Sequence, residues 1–237
     1  MAVQARPHRS NMSIKGKYTV LSVPNFQCKD WLLNKHYAGT IPNIMYAFGI
    51  FDENKILQGI CCYGTPANNH NNMMGNFQQI ELVRLVINEG LDKNLLSFFV
   101  TKTFNYLTKP MSLISYADVG KNHHGYIYQS TNWVYTGLGG GVDFYIDEEL
   151  NEIHSRIMSD YRLKFPSMTR EEIANKHKWK KAEGTYKHRY FYFIGNKKDK
   201  QIWLENVKEK YQILAYPKGD NTRYDASYEP PVNRILF

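Results

Sequence analysis

The sequence predicts a mixed α/β fold of the α+β class, with a mostly antiparallel central sheet flanked by helices and a basic C-terminal insertion or extension. Short apolar runs recur along the first two thirds of the 237 residues, and polar turns separate them, as in antiparallel sheets. Segments with helical apolar spacing lie between some of these runs. The chain is long enough for one large domain, or for a domain with an elaborate extension.

The N-terminal region predicts a tail, a strand and a helix. Residues 1–15 are polar and are expected to form a disordered tail. Lys17 to Val23 alternates in polarity, as a strand does, and a proline follows it. Phe26 to Tyr37 has helical spacing, and Gly39 is a suitable residue to end that helix.

A hairpin and a polar loop are predicted next. Two apolar runs, Ile44 to Phe51 and Ile56 to Tyr63, are joined by a short polar turn, which indicates a pair of antiparallel strands. Residues 65–75 are rich in asparagine, so we expect a loop outside the core.

The longest predicted strand is Phe77 to Ile87. A loop, Asn88 to Asn94, and a strongly apolar helix, Leu95 to Leu107, follow it. Because side chains alternate along a strand, two opposite sets are expected, and these are Glu81, Val83 and Leu85 on one face and Leu82, Arg84 and Val86 on the other.

An acidic residue ends the next predicted strand. Leu113 to Ala117 is a continuous apolar run typical of a buried strand, and Asp118 stands at its carboxyl end, before a turn and a short helix. Asp118 either caps that helix or presents a carboxylate to a ligand, and the sequence around it leaves both roles open. His123 and His124 follow on the turn, but adjacent histidines on a loop rarely face one ion, so we do not expect them to form a metal pair.

The C-terminal third predicts helices, one more strand and a polar tail. Asp147 to Asp160 has helical apolar spacing, and Met168 to Trp179 begins with a threonine cap and an acidic first turn. We expect a catalytic core over residues 16–146 and a basic region over 147–237. Within the latter, the expected elements are a last sheet strand at about 187–195, a short helix at Lys200 to Val207 and an extended tail at Tyr216 to Pro231.

The apolar runs and the cysteines indicate the cellular compartment in which the protein is expected. No apolar run approaches the roughly 18 residues of a membrane span, and the N-terminus lacks a hydrophobic signal core. Three cysteines, two of them adjacent at Cys61 and Cys62, form neither a disulfide framework nor a spaced metal motif, and buried thiols are expected. The sequence therefore predicts a reduced, cytoplasmic protein.

Positive charge is concentrated in one part of the chain. Residues 150–237 hold 18 Lys and Arg against 11 Asp and Glu, which accounts for most of the net charge of +8. Tryptophans and tyrosines are interleaved with these basic residues, and this combination is typical of surfaces that contact phosphates and stack on bases. A solvated basic face explains the same pattern, so charge alone leaves the partner open.

One strand–loop–helix unit resembles the GNAT acyltransferases. It comprises Leu82 to Ile87, the loop Asn88 to Asn94 and the helix from Leu95. In GNAT enzymes, backbone amides of the loop and helix N-terminus hold the pyrophosphate of acetyl-CoA, because a helix N-terminus attracts anions. Gly90 is the loop's one glycine, whereas that family's signature is glycine-rich.

A more specific resemblance is to the phage Mom DNA-modification proteins, and it extends over roughly Trp31 to Gly137. It is carried by motifs in the same order and at similar spacing, namely His36-Tyr37-Ala38-Gly39, Glu81-Leu82-Val83-Arg84-Leu85, Asn94 with Ser97, Ser115-Tyr116-Ala117-Asp118, Gly125 with Ile127 and Tyr128, and Thr136-Gly137. That family is GNAT-like. It converts adenine in phage DNA to an N6-carbamoylmethyl, acetamido-type form that resists host restriction.

The resemblance implies roles for named residues. His36, Tyr37 and Asp118 would form a catalytic cluster, and in one interpretation this cluster binds iron, since imidazole, phenolate and carboxylate suit iron. The alternative is acid–base chemistry without a metal. Tyr128 would lie at the reaction centre, and the residues implied in acetyl-CoA binding are Arg84, Ser97, Asn94 and Gly90.

DNA is the implied substrate. A paired adenine hides its amino group, so the enzyme would flip the base or meet single strands. The basic residues expected to contact DNA are Lys178, Lys180, Lys181, Lys187 and Arg189. The expected location is the cytoplasm of the infected host cell, and a homodimer is one option for the oligomeric state.

Three functions remain open at this stage. The first is a Mom-like enzyme that modifies adenine in phage DNA. The second is a GNAT-type N-acyltransferase that acts on another amine, such as a hypermodified base, a protein or a small molecule. The third is an inactive GNAT-like module that binds nucleic acid.

Overall fold

A central sheet of mixed direction organises the computed structural model, which describes residues 13–66, 73–140, 144–153, 155–220 and 227–232. Eight strands of the described residues form this sheet, and seven of them follow the order β1-β2-β3-β5-β6-β11-β7, with β4 paired to β5. The strands are β1 (Thr19–Ser22), β2 (Tyr46–Phe51), β3 (Leu57–Gly64), β4 (Met73–Met74), β5 (Phe77–Ile87), β6 (Met111–Asp118), β7 (Val134–Gly140) and β11 (Tyr186–Ile194).

All pairs in this sheet are antiparallel except β5 with β6. The prediction of a mixed fold with a mostly antiparallel central sheet is therefore confirmed. The hairpin of β2 and β3 forms as predicted, and Asp52 orders its turn by accepting hydrogen bonds from the backbone N–H groups of Asn54 and Ile56, both at 2.9 Å.

Helices cover both faces of the sheet. They are α1 (Ile14–Lys17), α2 (Asn25–Asp30), a π-helix (Trp31–Lys35), α3 (Leu95–Thr103), a 3₁₀-helix (Val119–Lys121), α4 (Tyr126–Ser130) and α7 (Lys197–Lys210). Helix α3 ends four residues before the predicted Leu107. Helix α1 begins inside the segment expected to be a tail, and its Ile14 packs against the core. Residues 1–12 lie outside the described residues.

The core has one cluster on one face of the sheet and two on the other. On the first face, Leu95 and Phe99 of α3 pack with Ile80 and Leu113 of the strands. On the opposite face, α2 and the π-helix pack on β2, β3 and β5, while α7 packs on β6 and β11. On this second face, Tyr116 and Asp118 of β6 and their register partners Arg189 and Lys187 of β11 form the strip of sheet between the π-helix and α7, and these four residues line a cleft. All three cysteines are buried free thiols.

Strand β5 contains a bulge, which changes the face of the sheet on which some of its side chains lie. Cys62 of β3 pairs with Arg84, and its neighbour Tyr63 pairs with Leu82, so Val83 has no partner on β3. One extra residue reverses the alternation beyond it. The prediction that Leu82 and Leu85 lie on opposite faces is therefore wrong, because both pack in the cluster under α3, whereas Val83 and Val86 pack in the cluster under α2.

Strands β5 and β6 separate after a short parallel contact. Their register joins Gln79, Ile80 and Glu81 to Ser112, Leu113 and Ile114. The remaining residues of both strands, 82–87 and 115–118, diverge without pairing to each other. The sheet therefore opens between the bulged end of β5 and the acid that ends β6.

Residues 144–153 and 155–182 form a small unit, the insertion module, between β7 and β11. It contains β8 (Phe144–Ile146), β9 (Glu152–Ile153), α5 (Ser155–Lys164), α6 (Arg170–Lys176) and β10 (Lys180–Ala182). Its strands form a three-stranded sheet in the order β10-β8-β9, with buried Met158, Ile173 and Ala174 beneath the helices. The capping box of Thr169 and Glu172 starts α6, as the sequence predicts.

The predicted helix from Asp147 to Asp160 is wrong. A turn and β9 occupy its first half, and α5 starts at Ser155. The Asp147 carboxylate accepts hydrogen bonds from the backbone N–H groups of Glu149 and Asn151 at 2.9 and 2.8 Å, which favours the turn over the helix. Leu150, expected to face inward, is 74% exposed and has a φ of +67°.

Candidate active site

A cleft of about 1530 Å³ runs from the opening between β5 and β6 onto the strip between the π-helix and α7. Ten of the predicted site residues line it, and they come from seven elements or loops. These residues are His36, Tyr37, Arg84, Gly90, Asn94, Ser97, Asp118, Tyr128, Lys187 and Arg189.

The π-helix delivers His36 to the cleft. The His36 backbone N–H donates to the Trp31 carbonyl at 2.8 Å, which closes the last turn of this wider helix. The His36 Nδ1 accepts a hydrogen bond from the Ala38 N–H at 3.1 Å, so the proton of the neutral ring is on Nε2. Burial first, and then the charges of Arg84 and His123, lower the pKa of His36 to about 3. The imidazole is therefore neutral at physiological pH.

Tyr37 stacks on His36 and faces Asp118. The two rings are 4.5 Å apart between centroids and inclined by 28°. Burial and the charge of Asp118 raise the pKa of Tyr37, while Arg84 opposes that shift. Tyr37 is therefore a neutral phenol close to a carboxylate.

The two histidines of the turn separate, as expected. The ring of His123 makes an edge contact with Tyr37 at a centroid distance of 5.4 Å. The ring of His124 lies 5.6 Å from that of His188 on β11, and Tyr135 bonds His188 Nδ1 through its hydroxyl at 2.8 Å. Thus His123 belongs to the cleft and His124 to a second group of rings.

Asp118 both caps a helix and lines the cleft. Its Oδ1 accepts a hydrogen bond from the Gly120 N–H at 2.9 Å, at the start of the 3₁₀-helix. The Thr185 hydroxyl donates to the same oxygen at 3.0 Å. The two roles that the sequence left open are therefore compatible, because capping orients the carboxyl group within the cleft. Thr185 carries no sequence signal, since it reaches Asp118 across 67 residues.

Tyr128 is buried at the point where β5 and β6 separate. Its hydroxyl lies 2.7 Å from the Ser115 Oγ, and that Oγ lies 2.8 Å from the Leu82 carbonyl oxygen. Because a carbonyl can only accept, the single hydroxyl proton of Ser115 points to Leu82, and Tyr128 donates to Ser115. Burial raises the pKa of Tyr128, so the phenol keeps its proton. Ser115 belongs to the sequence motif that ends at Asp118, but only the fold shows that its hydroxyl accepts the hydrogen bond of Tyr128.

The bulge of β5 places Arg84 beside the catalytic candidates. Its Nη1 donates to the Val83 carbonyl at 2.7 Å, and its Nη2 donates to the Thr40 hydroxyl at 2.9 Å. The Nε is buried and has no hydrogen-bond partner among the described residues, and each of the two Nη atoms carries a second N–H. Burial lowers the pKa of Arg84, and the neighbouring Tyr37 and Glu81 oppose this shift.

The loop after β5 and the start of α3 form the other end of the cleft. Gly90 and Asn94 have left-handed backbones, with φ of +71° and +67°. The Ser97 hydroxyl donates to the Asn94 carbonyl at 2.9 Å and so lies on the first turn of α3. First-turn amides have no acceptor within a helix, so this end offers donors and positive potential to an anion.

The five basic residues predicted to contact DNA divide into two groups. Lys187 pairs in register with Asp118 on the neighbouring strand and lines the cleft. Arg189 lines it too, bonded to the Thr136 hydroxyl at 3.0 Å and stacked 4.0 Å from the Tyr211 ring. The other three, Lys178, Lys180 and Lys181, lie on the insertion module and do not line the cleft.

The side chains of His36, Tyr37 and Asp118 do not form the predicted metal site. Across the described ranges, no group of three or more His, Cys, Asp or Glu side chains is placed to hold a metal ion. The proton of the neutral His36 ring is on Nε2 and its Nδ1 accepts a hydrogen bond from Ala38, so this tautomer offers no lone pair to a metal, and Oδ1 of Asp118 already accepts two hydrogen bonds. An iron site at these residues is therefore not supported by the geometry.

None of the helices in the described part of the chain has the length and apolar character needed to span a bilayer.

Solved structures with similar folds include several N-acetyltransferases. Spermidine N-acetyltransferase from Vibrio cholerae, in complex with CoA and spermine, is 10% identical, with a TM-score of 0.45 and coverage of 76% of this chain and 96% of its own. The GNAT family N-acetyltransferase YhbS from Escherichia coli, in complex with CoA, is 10% identical, with a TM-score of 0.37 and coverage of 53% and 72%. NAA60 from Arabidopsis thaliana, in complex with a bisubstrate analogue, is 8% identical, with a TM-score of 0.42 and coverage of 75% and 99%.

Comparison at the level of sequence gives one family. No curated protein matches the chain significantly. The family model of the Mom protein family matches residues 17–218, which extends the resemblance seen in the sequence motifs to most of the chain. The chain therefore belongs to the Mom protein family.

Proposed function

We propose that this protein is a Mom-like transferase of the acyltransferase class, which uses acetyl-CoA to modify the N6 amino group of adenine in phage DNA. The product would be an acetamido or carbamoylmethyl type of adenine that protects the DNA from host restriction. The observation that carries the proposal is that a single cleft is lined at one end by the implied acetyl-CoA residues and at the other by the implied catalytic residues.

Acetyl-CoA would bind at the end formed by β5 and α3. The first turn of α3, with Ser97 and Asn94, offers amide donors to the pyrophosphate, and Gly90 leaves the loop open. The guanidinium of Arg84 lines the same cleft, and the remaining N–H groups of its Nη atoms are further donors. The separation of β5 and β6 would admit the acetyl end of the cofactor, since the unpaired edges diverge there.

The adenine would enter from the strip between the π-helix and α7. Tyr37 and Tyr116 offer rings against which a flipped base could stack, and Lys187 offers a cation for a neighbouring phosphate. Arg189 is already bonded to Thr136 and stacked on Tyr211, so its role would be to shape this wall and add positive potential.

The catalytic candidates fit proton transfer. The N6 nitrogen is a weak nucleophile, because its lone pair is delocalised into the ring, so its proton must be removed as it reacts. Asp118, held by Gly120 and Thr185, is suited to accept that proton directly or through Tyr37. Neutral His36 would orient Tyr37 by stacking. Tyr128 keeps its proton and would lie where the cofactor and the amine meet, and it would donate that proton to the leaving thiolate after turning away from Ser115.

Iron has no part in this proposal, because hydrogen bonds already occupy the Nδ1 of His36 and the Oδ1 of Asp118, two of the ligand atoms that the resemblance implies. Metal analysis of the purified protein tests this point. Stoichiometric iron that is lost in Asp118→Ala, without a loss of folded protein, would contradict it.

Mass spectrometry of nucleosides tests the reaction. DNA from cells that express the protein should contain a heavier deoxyadenosine, and its mass distinguishes an acetyl from a carbamoylmethyl group. A carbamoylmethyl product is attached to N6 through the methyl carbon and contains a nitrogen that acetyl-CoA does not supply, so that outcome also requires a two-electron oxidant and a nitrogen donor. Asp118→Asn should abolish the product, and Lys197→Ala on α7 is a control for expression and folding.

The same experiment can favour either of the two other functions that the sequence left open. Unmodified DNA from cells that contain folded, acetyl-CoA-binding protein would overturn the proposal and favour an N-acyltransferase that acts on another amine. A folded protein that binds DNA but not acetyl-CoA would favour an inactive nucleic-acid-binding module. Calorimetry with acetyl-CoA and with DNA separates these two outcomes.

A further inference from the structure

The segment that carries His36 and Tyr37 is an unusual helix. The α-helix of residues 25–30 passes into the π-helix Trp31–Lys35, which closes through the bond from the His36 N–H to the Trp31 carbonyl. π-Helical turns are less favourable than α-helical ones and persist where other contacts stabilise them. A return to α-helical bonding would rotate the residues that follow. The direction of His36 and Tyr37 therefore depends on whatever stabilises this turn.

Tyr228, far along the chain, contacts both ends of the π-helix. Its hydroxyl donates to the Oδ1 of Asp30, the residue before the π-helix, at 2.9 Å. Its backbone carbonyl accepts a hydrogen bond from the Nζ of Lys35, the last residue of the π-helix. One residue thus bridges the five-residue π-helix from end to end.

The buried charge of Lys35 makes the second contact significant. Lys35 is only 2% exposed, although it carries an ammonium group, and its Nζ lies 5.9 Å from the centre of the Trp31 ring. A buried cation needs polar partners, and the Tyr228 carbonyl is one of them. Loss of that contact would expose or displace the residue directly before His36.

The chain before Tyr228 is anchored on β7, on α4 and on the turn before α4. The Leu214 N–H donates to the Tyr135 carbonyl at 3.0 Å, Gln129 donates to the Pro217 carbonyl at 3.2 Å, and Asn122 donates to the Asp220 carbonyl at 2.9 Å. The C-terminal region therefore contacts the wall of α4 and, at Tyr228, the wall of the π-helix. Tyr228 also lies beyond residues 17–218, which the family model matches.

We infer that Tyr228 is a positioning residue, which holds the π-helix in the geometry that presents His36 and Tyr37 to the cleft. Its hydroxyl restrains the start of the π-helix and its carbonyl restrains the end. This role rests on the proposed function only in that His36 and Tyr37 are taken to act at the site. The C-terminal extension of this chain thereby supplies a part of the site that the family-matched region lacks.

Hydrogen–deuterium exchange on the full chain tests the inference without any assay of activity. In Tyr228→Phe, the amides of residues 31–37 should exchange about fivefold faster, which is the factor expected for the loss of about one net hydrogen bond. Exchange in α3 should not change. Unchanged exchange over residues 31–37 would overturn the inference.

Tyr216→Phe is the matched control. The Tyr216 hydroxyl donates to the Trp133 carbonyl at 2.7 Å, so this variant loses one hydrogen bond of the same C-terminal region on the other wall. It should leave exchange over residues 31–37 unchanged, and an equal effect of the two variants would contradict a specific role for Tyr228. In an Asp30→Ala background, Tyr228→Phe should have no further effect on exchange.

A kinetic measurement distinguishes this inference from the proposed function. If the protein modifies DNA, Tyr228→Phe should lower kcat severalfold and leave KM for acetyl-CoA unchanged, because Arg84 and Ser97 are not contacted. A raised KM with unchanged kcat would contradict the positioning role. If the wild-type protein does not modify DNA, the proposed function fails, while the exchange experiment still decides whether Tyr228 holds the π-helix.

Discussion

At the scale of single residues, the cleft places three groups that stay neutral near the carboxyl group of Asp118. The pKa of His36 is lowered and those of Tyr37 and Tyr128 are raised, and burial is the largest cause in all three cases. The site is therefore arranged to keep the imidazole and both phenols uncharged at neutral pH. In the proposed reaction, the proton is therefore taken up by Asp118 and not by these three groups.

The pKa of His36 predicts a pH dependence of stability. In the unfolded chain His36 has an ordinary pKa of 6.5, whereas its folded pKa is about 3. Below pH 6.5 the unfolded state therefore binds a proton that the folded state does not, so stability falls as pH falls from 6.5 toward 3. At pH 4.5 this contribution amounts to about 2–3 kcal/mol.

Urea unfolding at pH 7 and pH 4.5 measures this effect. The wild-type protein should lose about 2–3 kcal/mol more on acidification than His36→Gln does. His177→Gln, on the insertion module, is the control and should behave like the wild type. An equal loss in the wild type and His36→Gln would show that His36 is not buried in its neutral form.

The hydrogen bond from Tyr128 to Ser115 predicts a separation of activity from stability. Ser115→Ala leaves the buried Tyr128 hydroxyl without this acceptor, so we expect a loss of about 1–3 kcal/mol in the free energy of unfolding and at least about tenfold in turnover. Ser112→Ala on the same strand also removes a buried hydroxyl, which bonds Gln79 and Trp203. That variant should lose similar stability with turnover unchanged, and equal losses of turnover in both would contradict an orienting role for Ser115.

At the scale of elements, the bulge of β5 and the start of α3 organise the cleft together. The bulge reverses the alternation of β5 and places Arg84 beside the π-helix, and the loop after β5 carries the chain to the first turn of α3. The short parallel contact between β5 and β6 leaves the rest of both strands apart. The bulge of β5, the loop before α3 and the separation of β5 from β6 thus all lie at one end of the cleft.

The N-terminus of α3 predicts an electrostatic effect on cofactor binding. Ser97→Asp adds a negative charge where the phosphates of acetyl-CoA are expected, whereas Ser97→Asn has similar size without charge. KM for acetyl-CoA should rise by at least about tenfold in Ser97→Asp, which corresponds to about 1.4 kcal/mol. Ser97→Asn should change KM much less. Similar KM values for the two variants would place the phosphates elsewhere.

At the scale of the whole molecule, positive charge is distributed over two surfaces. Lys187 and Arg189 line the cleft, whereas Lys178, Lys180 and Lys181 lie on or beside β10 of the insertion module. Lys178 also lies 3.7 Å from Glu148, but both side chains are highly exposed, so this pair restrains it little. A duplex bound with one base in the cleft could reach both surfaces, and the module would then add affinity without contacting the reacting base.

The salt dependence of DNA binding tests the role of the module. Replacement of Lys178, Lys180 and Lys181 by alanine should reduce the slope of log affinity against log salt by about 0.9 for each phosphate contact that is lost. Replacement of Lys197, Lys198 and Lys200 on α7 removes the same charge and is the control. An unchanged slope in the first variant, or an equal change in both, would exclude a specific DNA contact by the module.

The sequence predicted most elements because their signals are local. The apolar runs of β2, β3, β5 and β6 and the capping box of α6 depend on neighbouring residues. The prediction of a helix from Asp147 was wrong, although the apolar residues there have helical spacing. The Asp147 side chain accepts backbone hydrogen bonds that stabilise a turn instead of the helix. The β5 bulge could not be predicted, since it depends on the register with β3.

The sequence by itself determined which side chains are available for chemistry and in what order they occur, because motifs such as His36-Tyr37, Arg84 and Ser115–Asp118 are local in the chain. Only the tertiary structure decided that these side chains line one cleft, that Thr185 and Ser115 orient Asp118 and Tyr128, and that Tyr228 bridges the π-helix. The physical reason is that burial and long-range hydrogen bonds set the pKa and the direction of a side chain, and both arise only when distant segments pack together.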